Sequence, residues 1–364
     1  MLQFKPFYTI TSKIAQGLMR IEAVKEKVLY VPLTPLVLAS LRQAAKLYST
    51  HYSTMIEGNV LTQDQVKEVV EHKGHFPGRE RDEQEVKGYY AALTLVEQWA
   101  ARGTSLTEKM IQTLHALVMS GGQAKSKPSP YRDGQNVIRD GRTGAIVYLP
   151  PEAQDVPNLM RSLIDWIGKT SDVPCPIVAG IAHYQFATIH PYYDGNGRTA
   201  RLLTTFLLHH GGFGLKGLFS LEEYYARNLG AYYEAISIDD SHNYYMGRAE
   251  ADITPWIEYF IEGMAVSYEN ILKHMDHLAA KGTSDYRELI RNLDPMQRKA
   301  LELFQNFKTV TSRQIGELFG FKPRTTSQLC AKWVENGFLE IVDYSKRGRK
   351  YKLSKHYEAL LTSL

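Results

Sequence analysis

The chain has 364 residues, of which 44% are hydrophobic and 23% charged, values ordinary for a globular protein with one large domain and a smaller one. No apolar run approaches the roughly 20 residues of a membrane span, and the N-terminus lacks a secretory signal pattern, so we expect no membrane partner. Only Cys175 and Cys330 are present, which excludes a disulfide framework and a cysteine-based zinc site. These features favour a reducing, cytoplasmic compartment.

The net charge of +4 is unevenly distributed. Residues 285–364 contain 15 Lys and Arg against 9 Asp and Glu, a net +6, which leaves the remainder at −2. The basic excess could meet an acidic partner at the C-terminal end, although a solvated surface accounts for it equally well.

The first part of the chain is predicted to be helical, because its apolar residues recur at helical spacing. Helices are expected over 34–52, from Thr62 onward, over 80–102 and over 107–119, with Thr62 and Thr107 as N-caps. The segment STMIEGN at 53–59 ends the first of these helices, with Gly58 and Asn59 just past its C-terminus. Residues 131–151 differ: NVIR and AIVYLP flank a Gly-containing turn, which predicts a β-hairpin.

Helices are predicted again over 158–168, 176–189, 200–210, about 221–238 and 252–281. GTSDY, near 282–286, marks a linker, after which the pattern restarts. Three helices are followed by two strands joined by a basic turn, the order of a winged helix-turn-helix domain. The predicted fold class is therefore mainly α, a helical bundle with one β-hairpin and a small C-terminal winged helix.

The stretch HPYYDGNGRTAR at 190–201 interrupts the apolar pattern. Pro191 stops the preceding helix, so His190 lies at its exit. Gly195, Asn196 and Gly197 can turn several N–H groups toward one point, at the N-terminus of the helix that follows. The set suits a nucleoside triphosphate with its metal: Arg198 and Arg201 add planar donors, Asp194 is a hard oxygen ligand for Mg²⁺, and His190 is a candidate base.

Two other interpretations compete with this one. The glycines can serve a simple turn between helices, with surface arginines. A metal site built from His183, His190, His209 and His210 is conceivable, since His183 and His190 are seven residues apart on one helix face. A Walker loop and a dinucleotide fingerprint are excluded, because neither a preceding strand nor a GK[ST] sequence is present.

The stretch 190–201 resembles the Fic signature, HxFx[D/E]GN[G/K]RxxR, and departs from it only at Tyr192, where the family usually has Phe. The resemblance extends over roughly residues 1–270. It implies a Fic-type helical bundle in which the hairpin at about 136–150 is a target-binding flap carrying Val137 and Ile138. It divides that part into an N-terminal helical region at 1–100 and a catalytic core at 101–275, and the element pattern adds the winged helix at 285–364.

Fic proteins resembling this one transfer AMP from ATP to a hydroxyl side chain of a protein. On that basis His190 deprotonates a Ser, Thr or Tyr hydroxyl of a target or of the chain itself, and Asp194 holds Mg²⁺. The ATP-binding residues implied are Gly195, Asn196, Gly197, Arg198, Thr199, Ala200, Arg201, Tyr232 and Tyr233.

STMIEGN resembles the family's inhibitory motif, [S/T]xxxE[G/N], in the class with an N-terminal inhibitory helix. The resemblance implies that Glu57, with Ser53, pairs with Arg201 where the γ-phosphate of ATP would bind. Without it, Glu57 is an ordinary solvated glutamate. An alternative activity is removal of AMP, with Glu57 orienting a water.

The C-terminal part suggests a second class of function, a transcriptional regulator that binds DNA. The candidate contacts are Arg324, Thr326 and Gln328 on the recognition helix, and Arg347 and Arg349 on the wing. The alternative is a protein–protein module, and a homodimer is compatible with either interpretation.

Overall fold

The structure, a computed structural model, describes residues 4–30, 35–123, 127–139, 143–238, 242–281, 293–343, 345 and 349–362. The chain divides into two compact units, residues 1–30 with 44–272, and residues 31–43 with 273–364. Within the described ranges, no helix combines the length and the apolar character needed to cross a bilayer.

The first unit is a helical bundle with one small sheet. Its helices are α1 Ser12–Tyr30, α2 Pro35–Ile56, α3 Gln63–Lys67, α4 Glu80–Ala101, α5 Glu108–Met119, α6 Val156–Lys169, α7 Cys175–Ile189, α8 Asn196–His210, α9 Leu221–Arg227, α10 Leu229–Ile236 and α11 Thr254–Lys281. A π-helical turn, Glu68–His72, extends α3, and short 3₁₀ turns lie at Leu215–Gly217 and Arg248–Glu250. The division between the two units falls within α2 and α11.

The ends of the helices follow local chemistry. Thr62 caps α3 in a reciprocal capping box with Gln65, and the Thr107 hydroxyl caps α5, as predicted. Gly58 adopts φ +93° after α2, where a residue with a side chain would be strained, and the Asn59 N–H reaches back to the Thr54 carbonyl at 3.1 Å. This turn fixes the C-terminal end of α2 beside the motif 190–201.

The core of this unit forms where α7 packs against α8, and α4 against both α5 and α8. Almost every side chain of α7 is buried, which explains its near-continuous apolar sequence. The indole of Trp256 on α11 donates to the Gly180 carbonyl at 2.7 Å, so even the polar atom of this buried ring is satisfied. The motif 190–201 therefore joins two of the most buried helices in the unit.

The predicted hairpin is present but short. Strands β1 Ile138–Arg139 and β2 Ile146–Tyr148 pair antiparallel, with Ile138 opposite Tyr148. The chain at 242–244 runs beside the end of β2, where the Leu149 N–H donates to the His242 carbonyl at 2.7 Å. One edge of the hairpin base is thus covered by the chain itself.

Three predictions for this unit need correction. Helix α8 begins at Asn196 instead of residue 200, because Gly195 adopts φ +75° and serves as its N-cap. The single helix expected over 221–238 is two helices, since Asn228 breaks it and caps α10 through its side chain. Helix α1 was not predicted at all.

The second unit includes helices α12 Pro295–Asn306, α13 Ser312–Phe319, α14 Pro323–Glu335 and α15 Lys355–Thr362, with strands β3 Val310–Thr311, β4 Leu339–Asp343 and β5 Lys350–Leu353. The sheet order is β3-β5-β4, with both pairs antiparallel. The three helices and two strands predicted here are present, and Thr311 caps α13 in a capping box. The short strand β3 and helix α15 were not predicted, and the proposed linker at 282–286 lies outside the described residues.

The core of the second unit centres on Trp333, which contacts Phe319 and Phe338 edge to face. Its buried members are Leu293, Ala300, Leu301, Phe304, Val310, Ile315, Cys330, Trp333, Phe338, Leu339, Tyr351 and Leu353. The prediction that Thr326 lies on a binding surface is wrong, because Thr326 is buried and its hydroxyl donates to the Lys322 carbonyl at 3.2 Å. Arg324, Gln328 and Arg349 are exposed, and Arg347 is outside the described residues.

Candidate active site

His190 closes the C-terminus of α7 in a left-handed conformation, φ 50°, which is rare for a residue other than glycine. Its Nδ1 lies 3.3 Å from the Ala187 carbonyl. Because a carbonyl only accepts, Nδ1 carries the proton and Nε2 keeps its lone pair. Burial lowers the pKa of His190 to about 4, and the Arg132 cation acts in the same direction, against the Ala187 carbonyl and the carboxylates of Glu57 and Asp194. The ring is therefore a neutral base at physiological pH.

The loop from His190 to Asn196 is closed by the Asn196 side chain. Its Oδ1 accepts from the Tyr192 N–H at 3.0 Å, and its Nδ2 donates to the Tyr192 carbonyl at 2.8 Å. Both polar atoms of the amide are thus used to shape the loop. We predicted that this side chain would hold phosphate, whereas here it fixes the backbone on either side.

The first turn of α8 is open to an anion. Gly195 has no side chain to cap it, so the N–H groups at the start of the helix receive no side-chain acceptor from that position. The Asp194 carboxylate, 56% exposed, stands beside this turn and accepts from the Gly195 N–H at 2.6 Å. The turn therefore offers partial positive charge to a phosphate, next to one hard oxygen ligand.

Arg201 is buried on the second turn of α8 and is fully engaged by the C-terminal end of α2. Its Nε donates to the Ser53 hydroxyl at 2.7 Å, and one terminal nitrogen donates to the Ser53 carbonyl and to Glu57 Oε1, both at 2.8 Å. The Glu57 side chain is 27% exposed, against 1% for Arg201. A carboxylate thus reaches a buried guanidinium from the solvent side, with a charge-assisted hydrogen bond.

Glu57 also lies directly over the open turn of α8. A Cβ atom added to Gly197 would meet Glu57 Oε1 at 2.2 Å, so only glycine admits the carboxylate at this distance. The same oxygen therefore contacts Arg201 and covers the N-terminus of α8. This is the place that an anionic ligand of the site would take.

Arg198 is held more loosely than Arg201. It is buried, its Nε has no hydrogen-bond partner among the described residues, and its nearest carboxylate oxygens are Asp194 Oδ1 at 3.4 Å and Glu85 Oε1 at 3.7 Å. A buried cation with contacts this long is poorly compensated. The arrangement leaves donors of Arg198 available for a ligand oxygen.

Four other predicted ATP-binding residues differ in placement. Thr199 and Ala200 are buried, and the Thr199 hydroxyl donates to the Gly195 carbonyl at 2.8 Å within the helix. Tyr232 is also buried, with its hydroxyl 3.0 Å from His183 Nε2, whereas Tyr233 is 47% exposed and its hydroxyl reaches the Ile56 carbonyl at 3.4 Å. Of these four, only Tyr233 presents its side chain to the solvent beside the end of α2.

Tyr192, the one departure from the expected pattern, stacks on His115 with ring centroids 3.6 Å apart. His115 Nε2 lies 2.9 Å from the Asp194 carbonyl, so it donates there and supports the loop from below. The Tyr192 hydroxyl is buried and makes no hydrogen bond among the described residues. The ring performs the packing, and the hydroxyl contributes nothing visible to the site.

The flap is tied to the loop by residues that the sequence analysis did not single out. Arg132, buried, donates from Nε to the His190 carbonyl at 2.9 Å and from its terminal nitrogens to the carbonyls of Gly134 and Pro151. Val137 and Ile138 are half-buried on the hairpin beside it. The only sequence signal for Arg132 is its position just before a predicted hairpin.

The alternative of a histidine metal site is not supported. His183 is buried and contacts the hydroxyls of Thr204 and Tyr232, each at 3.0 Å, and burial lowers its pKa to about 3. Among the residues that the structure describes, no three His, Cys, Asp or Glu side chains converge to hold a metal.

Comparison with known proteins agrees with this geometry. Residues 105–208 match the Fic/DOC family model. A protein adenylyltransferase Fic from Nematostella vectensis is 30% identical over 198 residues, covering 53% of this chain and 44% of that protein. The protein adenylyltransferase fic-1 of Caenorhabditis elegans is 28% identical over 261 residues, covering 69% of this chain and 48% of that protein. The chain thus matches less than half the length of these two relatives.

Solved structures show the same fold. A Fic family protein from Desulfovibrio desulfuricans G20 superposes with a TM-score of 0.62 at 24% identity, covering 97% of this chain and 99% of that one. A Fic domain containing signaling protein from Bacteroides thetaiotaomicron gives 0.60 at 24% identity, covering 73% and 97%. The helical bundle is therefore the Fic fold. The part of the chain that matches the Fic/DOC family model, residues 105–208, lies within this bundle.

Proposed function

We propose that the chain is a protein adenylyltransferase that transfers AMP from ATP to a Ser, Thr or Tyr hydroxyl and is held inactive by Glu57. The observation that carries this proposal is the Glu57 carboxylate on Arg201 and over Gly197, an anion in the seat of a phosphate, beside a neutral histidine base. The relatives named as protein adenylyltransferases support the reaction class.

In the proposed reaction the hydroxyl oxygen attacks the α-phosphorus of ATP. The bond from that phosphorus to the bridging oxygen of the β-phosphate breaks, and pyrophosphate leaves. His190 Nε2 takes the hydroxyl proton, because Nδ1–H is held by the Ala187 carbonyl. The open turn of α8, Arg198 and Arg201 bind the phosphates, so positioning and charge supply most of the rate.

The residues present fit a magnesium ion that arrives with the nucleotide. Asp194 is an exposed carboxylate beside the open turn, and Mg²⁺ in such sites takes one or two protein carboxylates together with phosphate oxygens. When bound, the ion would neutralise phosphate charge. The Gly195 N–H fixes the orientation of the Asp194 carboxylate toward that position.

In this proposal inhibition is a competition for Arg201. The γ-phosphate needs the guanidinium donor that Glu57 occupies, so ATP binds unproductively while the Glu57 contact persists. A hydrogen bond to a charged group contributes about 1.5–3 kcal/mol, which corresponds to a 10- to 150-fold competition. Removing Glu57 leaves Arg201 bonded to Ser53 and open to phosphate.

Two assays test the proposal. The purified chain is incubated with ATP and Mg²⁺ and its intact mass is measured, and the chain is also incubated with α-³²P-ATP and a bacterial or animal protein extract to detect labelled proteins. We expect Glu57→Gly to raise AMP incorporation over the natural chain, and Glu57→Gly with His190→Ala to abolish it. No incorporation by Glu57→Gly into any protein would overturn the transferase assignment. Loss of AMP from already modified protein in the same assay would instead identify the hydrolytic activity.

A second function, binding of duplex DNA through a winged helix in the second unit, is favoured by one feature. The first turn of α14 contains no acidic residue, and Lys322, Arg324 and Gln328 are exposed there. Arg349 and Lys350 are exposed at the start of β5, where a wing would contact phosphates.

This second proposal is tested by titrating nonspecific duplex DNA at several salt concentrations. Arg324→Ala should lower affinity and reduce the magnitude of the salt slope by about one. Arg313→Ala, on α13 and paired with Glu317 at 2.8 Å, is the matched control that should change neither. Equal losses in the two variants, or no binding at low salt, would leave the second unit as a protein-interaction module.

A further inference from the structure

Arg132 is a buried cation whose side-chain hydrogen bonds, within the described residues, go to backbone carbonyls. The residue is 4% exposed. Its side chain donates to three backbone carbonyls: that of His190 at 2.9 Å, that of Gly134 at 3.0 Å and that of Pro151. Its own N–H donates to the Pro191 carbonyl at 2.9 Å. None of the ion pairs of the described residues includes it, so its charge is compensated by oriented carbonyl dipoles.

The three carbonyls belong to parts of the site that must act together. Gly134 precedes β1, Pro151 follows β2, and His190 is the base. One planar guanidinium therefore joins the two ends of the hairpin to the residue that takes the proton. The fork of an arginine fixes three directions at once, which the single ammonium of lysine does not.

His190 needs such support because its backbone is strained. A non-glycine residue at φ 50° is in a rare, strained conformation and persists only where its surroundings hold it. The Arg132 bonds to the carbonyls of His190 and Pro191 hold both peptides at the turn. A shift of this turn would move Nε2 relative to the bound hydroxyl, and small misplacements are costly in rate.

We propose that Arg132 is a positioning residue that sets His190 relative to the hairpin, so that an acceptor placed on the hairpin meets the base. The inference rests on the proposed transferase activity. Arg132 acts through the backbone of His190 and touches neither ATP nor the acceptor. Its loss should lower kcat and leave the affinity for ATP unchanged, because the ATP-binding turn of α8 has no contact with it.

The experiment uses the full chain in the Glu57→Gly background with Arg132→Lys, which keeps the charge, and Arg132→Met, which removes it. The probes are ATP with Mg²⁺, and the readout is total AMP turnover, protein-bound plus free, against ATP concentration and pH. We expect kcat to fall 10- to 100-fold in both variants with KM for ATP unchanged. The acid limb of the profile should stay in place in Arg132→Lys and move toward higher pH in Arg132→Met, since a cation beside His190 is lost.

Arg248 provides the matched control. It is also buried and donates to three backbone carbonyls, those of Ile236, Ser237 and Ile238, and none of these hydrogen bonds involves His190. Arg248→Lys should lower stability to a similar degree while leaving the acid limb of active protein where it is. Equal losses of kcat in the Arg132 and Arg248 variants, wild-type kcat in Arg132→Lys, or unfolding of both Arg132 variants would overturn the positioning role. No turnover in the Glu57→Gly parent would instead count against the proposed function.

Discussion

The two ends of the motif 190–201 differ in whether their functional groups are available to a ligand. At one end His190 is neutral and held by the Ala187 and Arg132 contacts, ready to accept a proton. At the other end the Arg201 guanidinium is occupied by the Glu57 carboxylate. The base is thus free to accept a proton, whereas the guanidinium of Arg201 is already bonded to Glu57. Under the proposed function, control therefore acts on how ATP binds, while His190 stays in place.

The difference follows from what each end contacts. His190 is held by the Ala187 carbonyl of its own helix and by the buried side chain of Arg132, contacts that lie inside the fold. Arg201 is held by side chains at the end of another helix, α2, and Glu57 remains partly exposed. A contact that reaches in from the solvent side can open without disturbing the core.

The largest effect is expected from substitution of His190. In the Glu57→Gly background, His190→Ala should lower AMP transfer by about 10²- to 10⁴-fold, since the base is lost, with the dissociation constant for ATP unchanged. Calorimetric titration of ATP and initial rates of transfer measure the two quantities. Weaker ATP binding by the same factor would mean that the two ends are not separate.

The next effect is expected from substitution of Glu57. Glu57→Gly should raise kcat/KM for ATP by about 10- to 100-fold, because Arg201 is freed for phosphate. Glu97→Gln is the matched control: it breaks the 2.8 Å ion pair between Lys46 of α2 and Glu97 of α4 without touching Arg201. Activation by Glu97→Gln to the same degree would show that general loosening of α2, and not the Glu57 contact, opens the site.

The pH dependence gives a smaller, distinguishing effect. Because burial lowers the pKa of His190 to about 4, the free enzyme loses its base only as pH falls through that value. Between pH 7.5 and 5.5, kcat/KM in Glu57→Gly should change less than about twofold, whereas a histidine of pKa about 6.5 would lose roughly tenfold. An acid limb near pH 6.5 would contradict the burial of the base.

The smallest effect concerns Tyr192, where the two ends meet. Tyr192→Phe should leave transfer unchanged and raise the free energy of unfolding by about 1 kcal/mol, because a buried hydroxyl without a partner is removed. Tyr89→Phe is its opposite: that hydroxyl donates to Glu222 at 2.9 Å, so stability should fall by about 1–3 kcal/mol. Thermal and denaturant unfolding measure the change in the free energy of unfolding for both variants.

Much of the helical framework could be predicted, since capping residues such as Thr62, Thr107 and Thr311 mark the N-termini of helices. The motif 190–201 was also readable, because its polar residues are contiguous. Arg132 and His115 were not, since each acts on a residue far along the chain and carries no local pattern. The assignment of Tyr232 to the nucleotide pocket stays a prediction: its buried hydroxyl lies 3.0 Å from His183 Nε2 and also interacts with Arg201.

The missing side chain at residue 197 has a consequence for how this protein can change. The inhibitory carboxylate and a phosphate would occupy one seat, and Gly197 makes room for both. Under the proposed function, a side chain at residue 197 would meet the Glu57 carboxylate and the phosphate that replaces it, so one of the groups would have to shift. Variants that are constitutively active and still bind ATP should therefore carry substitutions at the end of α2, and not within the motif 190–201.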